Sequence, residues 1–184
     1  AAFFIISLSL IFSLILAKVL KDYQIKRLII FMNPNVDPRG AGWNIIQSKI
    51  AIGAGGIFGK GYLRGTQSHY RFLPQQSTDF IFSILSEEFG FLGCCLVFLL
   101  FLFIFIRTII IIRNSTSTYG AYIASGILGM FAFHFFVNVG MVMGMMPITG
   151  IPLSFLSYGG SSLLTSMSCI GLLMSINYRR KEIR

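Results

Sequence analysis

The 184 residues are 55% hydrophobic and only 11% charged, with 15 Lys and Arg against 6 Asp and Glu. That balance excludes an ordinary water-soluble domain. The formal charge of +9, which in a soluble protein would suggest nucleic acid, is covered in large part by the Lys and Arg that membrane proteins carry at their cytoplasmic ends, leaving one basic loop that this does not explain.

The opening Ala-Ala-Phe-Phe already lies inside an apolar run, with no basic n-region or small-residue cleavage pattern before it. It therefore reads as part of a longer membrane protein and not as a signal peptide. Phe3–Leu20 is the first segment close to the ~20 residues needed to cross about 30 Å of hydrocarbon. Residues 21–79 follow as one long polar connection that holds most of the basic side chains. Within it, Asn33-Pro34 and Asp37-Pro38-Arg39-Gly40 read as turns. Trp43 to Ile50 places apolar residues at helical spacing with Lys49 set to snorkel, which predicts a short helix lying on the membrane surface. Gly53, Gly55, Gly56, Gly59, Gly61 and Gly65 then permit tight backbone turns.

Phe80–Ile106 is the second predicted span, and Glu87 and Glu88 lie near its start. A short basic connection over 107–118 leads to the third span, Tyr119–Met141. The next connection, 142–154, carries Gly144, Pro147, Gly150 and Pro152, too many breakers for a helix. It predicts a re-entrant loop. Phe155–Tyr178 is the fourth span, and 179–184 form a basic tail. From Asn114 to Tyr178 there is no Asp, Glu, Lys or Arg, a run that only lipid can solvate. The fold class is thus an all-α integral membrane protein, a polytopic helical bundle. The basic ends at Arg107–Arg113 and Arg179-Arg180-Lys181 orient the C-terminus to the cytoplasm and the 21–79 loop to the outside.

Several residues invite chemistry. The glycine-rich run is not a P-loop, since Gly59-Lys60 is followed by Gly61 and position 54 is Ala. Its backbone N–H groups near Lys60 and Arg64 either hold an anionic group such as a pyrophosphate or form a solvated loop that meets anionic headgroups. Asp79 is the single acid between Asp37 and Glu87. It reads either as a helix N-cap after Ser77-Thr78 or as a general base at the lipid–water boundary, and the two are compatible. Glu87 and Glu88 fit structural partners for a cation better than chemistry. Cys94, Cys95 and Cys169 match no metal spacing and read as packing residues. His69 and His134 lack acidic or Cys neighbours at ligand spacing, so no metal site is expected.

Three strings carry a family resemblance. FMNPNVDPRGAGWNIIQSKIAIGAGGIFGKGYLRGTQSHYRFLPQQSTDFIF (31–82), SEEFGFLG (86–93) and VNVGMVMGMMPITGIPLSFLSYGGSS (137–162) resemble the SEDS family, which groups the RodA, FtsW and SpoVE proteins. The first string and Thr149, where division-type members often have Lys, are similar to the RodA rod-shape branch. The match corresponds to the C-terminal part of a ten-helix protein, so the four predicted spans would be the seventh to tenth. The resemblance implies a peptidoglycan glycosyltransferase that polymerises lipid II into glycan strands during elongation, with Asp79 of the LPxxxTDF motif as the catalytic residue. Gln75 and Ser77 depart from the family's usual Glu and His. Lys60, Arg64, Lys49, Arg71 and Gln67 are the candidate substrate contacts. No tightly bound cofactor is implied, although a divalent cation, Mg or Mn, would fit the electrostatics. The implied partners are a class B penicillin-binding protein and MreB-associated elongation components, in the bacterial inner membrane. A lipid-linked precursor flippase and a non-catalytic scaffold for wall enzymes are the competing readings.

Overall fold

The computed structural model describes residues 22–33, 36–37, 40–65 and 78–182. The predicted span Phe3–Leu20, and with it Gln67, Arg71, Gln75 and Ser77, lie outside them. Five helices account for most of the described chain: α1 (Asp22–Met32), α2 (Ala41–Gly55), α3 (Ile81–Arg113), α4 (Thr118–Val142) and α5 (Gly160–Glu182). No strand occurs among the described residues. α2 and α4 both pack on α3, and α5 closes against α4 and α3.

The loop expected over 21–79 begins as a helix. Nothing in Asp22–Met32 breaks a turn, and α1 stops where Asn33 precedes Pro34, a position that disfavours helix. The predicted surface helix also forms, but as the longer Ala41–Gly55, and its inner face meets protein. Ile45, Ser48 and Ala51 are buried, and a Cβ on Gly55 would collide with the Ser86 carbonyl. Small side chains at 48, 51 and 55 form one stripe that lets α2 approach α3 closely, the contact that membrane helices favour. The Ser48 hydroxyl donates to the Val142 carbonyl at 2.6 Å, so the Ser83 hydroxyl 2.9 Å away donates to Ser48.

α3 is longer than expected and absorbs most of the predicted 107–118 connection, leaving only 114–117 between α3 and α4. Arg107 does not end it, because the Thr108 hydroxyl bonds back to the Ile104 carbonyl at 2.8 Å and the Ile109–Ile112 run after it holds no breaker. One irregularity interrupts the helix at Gly90, where φ is 64° and ψ −158°. The buried polar side chains Ser83, Ser86, Glu87 and Glu88 all precede this break. After it, residues 91–113 extend roughly 35 Å, enough to cross a bilayer. α3 and α4 are both long and apolar enough to span, and only 17% of the most apolar stretch of α3 is buried. A soluble protein's core helix would be largely buried, so this Phe- and Leu-covered surface is one suited to lipid or further helices.

Two apolar clusters fill the interior. The first gathers Phe82, Val97, Phe101, Phe135, Val139 and Leu153, and the second Ala124, Ile127, Phe131 and Leu173. Phe155 joins them, with its ring 6.4 Å from Phe101 and 5.2 Å from Phe131. This explains why α5, the predicted fourth span, starts at Gly160 and not at Phe155. Phe155 adopts φ 68°, a conformation that costs about 1–2 kcal/mol for a side-chain-bearing residue, and burial of its ring offsets that cost. The segment before α5 is not helical, as its breakers predict, and Leu153, Ser154 and Ser157 of it are buried against protein.

Candidate functional site

The glycine-rich turn after α2 sits against the break in α3. A helix broken at Gly90 leaves carbonyls and N–H groups without their usual partners. Residues 56–61 supply them: Lys60 and Gly61 N–H donate to the Glu87 and Glu88 carbonyls, each at 3.0 Å. Phe91 and Leu92 N–H in turn donate to the Gly56 and Ile57 carbonyls at 2.9 and 3.2 Å. The backbones approach so closely that a Cβ on Gly59 would overlap the Glu88 carbonyl, and one on Gly90 the Gly59 nitrogen. Lys60 completes the junction, with its amine 2.9 Å from the fully buried Glu87 carboxylate. Of the N–H groups considered for an anion, those of Lys60 and Gly61 are therefore bonded to α3 and that of Arg64 to the Gly61 carbonyl, and Glu87 has a cation partner. Glu88 is buried beside it. Arg64 is exposed on the same turn, and Lys49 is exposed on α2 with its side chain over Gly144.

Asp79 lies at the start of α3, but it does not cap the helix. The N-cap position is Phe80, with no side-chain capping bond, and the rings of Phe80 and Phe82 are buried to anchor this end. Asp79 is 9% exposed. Its neighbours hold its main chain: Asn138 Nδ2 of α4 donates to the Asp79 carbonyl at 3.0 Å and to the Ile151 carbonyl at 2.8 Å. Ser157 Oγ donates to the Thr78 carbonyl at 2.6 Å and accepts the Leu153 N–H at 2.7 Å.

The side chain faces a cleft of about 510 Å³ lined by Asp79, Thr78, Arg27, Ile148, Gly150, Pro152, Tyr158, Gly159, Ser161 and Ser162. Gly150, at φ 74°, passes so near that a Cβ there would lie 3.5 Å from Asp79 Oδ2. Arg27 reaches the cleft from α1 and donates from Nη1 to the Ile148 carbonyl at 2.8 Å. Among its described lining residues the cleft thus combines one carboxylate, one guanidinium and several hydroxyls on a glycine-rich wall. Lys60, Arg64 and Lys49 are not among its described lining residues, whereas Arg27 is a lining residue that the sequence reading did not single out. Its signal was faint, one cation among many in a basic stretch. Among the described residues no three His, Cys, Asp or Glu side chains gather to hold a metal. A separate cavity of about 250 Å³ at the other end of the bundle is lined by Ser115–Ser117, Tyr119 and Arg179, so the basic ends of α3 and α5 share that end.

The model of the FtsW/RodA/SpoVE cell cycle protein family matches residues 1–182. The peptidoglycan glycosyltransferase RodA of Treponema pallidum (strain Nichols) is 67% identical over 175 residues, covering 95% of this chain and 40% of that protein. The peptidoglycan glycosyltransferase MrdB of Escherichia coli (strain K12) is 45% identical over 162 residues, covering 88% and 44%. A solved peptidoglycan synthase complex, described for its structural coordination of polymerization and crosslinking, contains a similar chain: TM-score 0.75, 29% identity, 96% of this chain and 48% of that one. The chain spans less than half the length of these relatives. With its apolar helices and a family match over residues 1–182, this chain belongs to the FtsW/RodA/SpoVE (SEDS) family of membrane proteins.

Proposed function

We propose that this chain forms the C-terminal part of a peptidoglycan glycosyltransferase that polymerises lipid II into glycan strands for wall elongation and rod-shape maintenance. One observation carries the reading: Asp79 is held by its main chain while its carboxylate faces a cleft shared with Arg27. Asp79 takes the proton from the GlcNAc 4-hydroxyl of the acceptor. That oxygen attacks the anomeric carbon of the donor MurNAc from the side opposite the diphosphate. The bond from carbon to diphosphate oxygen breaks, undecaprenyl diphosphate leaves, and the configuration inverts. The Arg27 guanidinium is placed to stabilise the negative charge that grows on the leaving group. Of the other candidate substrate contacts, Arg64 and Lys49 are exposed outside the cleft lining and would meet outer parts of the lipid-linked substrate, Lys60 is engaged by Glu87, and Arg71 and Gln67 stay candidates from the sequence alone. The names of the T. pallidum and E. coli relatives support this activity.

The donor set does not fit a resident metal, since Asp79 is the one carboxylate among the described lining residues. A Mg or Mn ion would arrive with the diphosphate. By the distribution of cations, the Arg113 and Arg179 end faces the cytoplasm and the cleft opens at the outer face of the inner membrane. A class B penicillin-binding protein would cross-link the product, a reading supported by the similarity to a synthase complex that couples polymerization to crosslinking. MreB-associated elongation components would complete the assembly.

The test uses full-length protein and labelled lipid II. Wild type makes polymer, and Asp79→Ala lowers the rate by about 10³-fold with thermal unfolding unchanged. Polymer from Asp79→Ala at the wild-type rate overturns the assignment. A folded wild type that moves lipid II across vesicles but never polymerises it favours a flippase.

A further inference from the structure

We propose that Asn138 and Ser157 are positioning residues that together fix the Asp79 carboxylate at the reacting sugar. The inference rests on the reading of Asp79 as the general base. Thr78 and Asp79 precede the first residue of α3, so the helix does not hold them. The Ser83 N–H, which in a regular helix would reach the Asp79 carbonyl, bonds the Phe80 carbonyl at 3.0 Å instead. The two consecutive carbonyls of Thr78 and Asp79 are taken up by two side chains from other parts of the chain. Each of those side chains also binds the segment that walls the cleft: Asn138 through the Ile151 carbonyl, and Ser157 through the Leu153 N–H. The peptide that carries the base and the wall facing it are therefore locked to each other, with Gly150 of that wall abutting the carboxylate.

The residue types match the task. Binding two carbonyls at once needs two donors, which the amide nitrogen of Asn supplies from one atom and without a charge. Its cost is visible, because Asn138 is fully buried and its Oδ1 has no hydrogen-bond partner among the described residues. Native interiors rarely tolerate an orphaned acceptor, and one kept here points to what the other end of the amide does. Ser157 is matched in the same way: its single hydroxyl proton goes to Thr78 while its lone pair accepts from Leu153. Small misplacement of a base lowers turnover steeply, whereas substrate binding is spread over many contacts.

The test measures kcat and KM for lipid II polymerisation by the full-length protein alongside thermal unfolding. Asn138→Ala and Ser157→Ala are each expected to lower kcat by about 10- to 100-fold with KM within about twofold. Together they are expected to do less than the product of the two, since both act on one peptide. Ser157→Thr, which keeps the hydroxyl, recovers at least about tenfold over Ser157→Ala. Ile127→Ala, in the second apolar cluster, serves as a stability control and retains kcat within about threefold at a similar loss of Tm. Unchanged kcat in folded Asn138→Ala and Ser157→Ala overturns the inference, as does an equal kcat loss in Ile127→Ala. Failure of the base assignment is distinguishable, because it appears as activity in Asp79→Ala. Should Asn138→Ala not accumulate, Ser157→Ala against Ser157→Thr decides alone.

Discussion

Lys60 and Glu87 are joined twice. The Lys60 amine lies 2.9 Å from the Glu87 carboxylate, and the Lys60 main-chain N–H donates to the Glu87 carbonyl at 3.0 Å. Glu87 is fully buried, whereas the Lys60 side chain is 31% exposed, so the two halves of the pair are not equivalent. Lys60→Ala leaves a carboxylate in the interior without its ammonium and is expected to destabilise by on the order of 3 kcal/mol. Glu87→Gln lets Lys60 turn to solvent and costs less. Combining Lys60→Met with Glu87→Gln recovers part of the loss, measured as Tm of the full-length protein in detergent.

The backbone contact beneath that pair makes a separate prediction. Gly90→Ala puts a Cβ into the Gly59 nitrogen at a left-handed φ, where no flexible side chain can give way. Loss of folded protein is expected, seen as aggregation on size-exclusion chromatography. Gly53→Ala meets nothing within 4 Å inside α2 and is expected to raise stability by up to about 1 kcal/mol.

Where α2 enters the bundle, Ser48 bonds both Val142 and Ser83. Ser48→Ala is expected to cost about 1–2 kcal/mol by leaving the buried Val142 carbonyl unmatched. Ser48→Leu costs more, because the stripe formed with Ala51 and Gly55 has no room for a branched side chain. In a double-mutant cycle, Ser48→Ala and Ser83→Ala couple by about 0.5 kcal/mol or more.

Two arginines separate the cleft from the glycine turn. Arg27 lines the Asp79 cleft, whereas Arg64 is exposed on the turn. Arg27→Ala is expected to lower the polymerisation rate by about 10²-fold, and Arg27→Lys to restore part of it through charge alone. Arg64→Ala is expected to stay within about threefold. Equal losses in Arg27→Ala and Arg64→Ala would place the leaving group nearer the turn.

Much of the site was legible before any coordinates. Asp79 stands out as a lone acid before an apolar run, and Glu87 as an acid in need of a cation. The turn at Asn33-Pro34 was legible from its local breaker, although the helix before it was not, and the start of α5 was misplaced at Phe155, where packing decides. Arg27 and Asn138 were not, since nothing nearby in sequence distinguishes one Arg among basic residues or one Asn within an apolar helix. Their partners lie far along the chain: Ile148 for Arg27, and Asp79 and Ile151 for Asn138.

Composition and pattern by themselves determined the membrane-protein class, its helical character and the apolar stretches that become α3 and α4, and they singled out Asp79 as the carboxylate proposed for proton transfer. Those properties depend on residue type and on spacing within a turn or two, which a linear reading contains. Only the tertiary structure decided that the glycine turn mends the break at Gly90, that Lys60 serves Glu87, and that Arg27 shares a cleft with Asp79. Buried polar groups take whichever partner the fold brings within about 3 Å, and that proximity is a property of packed helices.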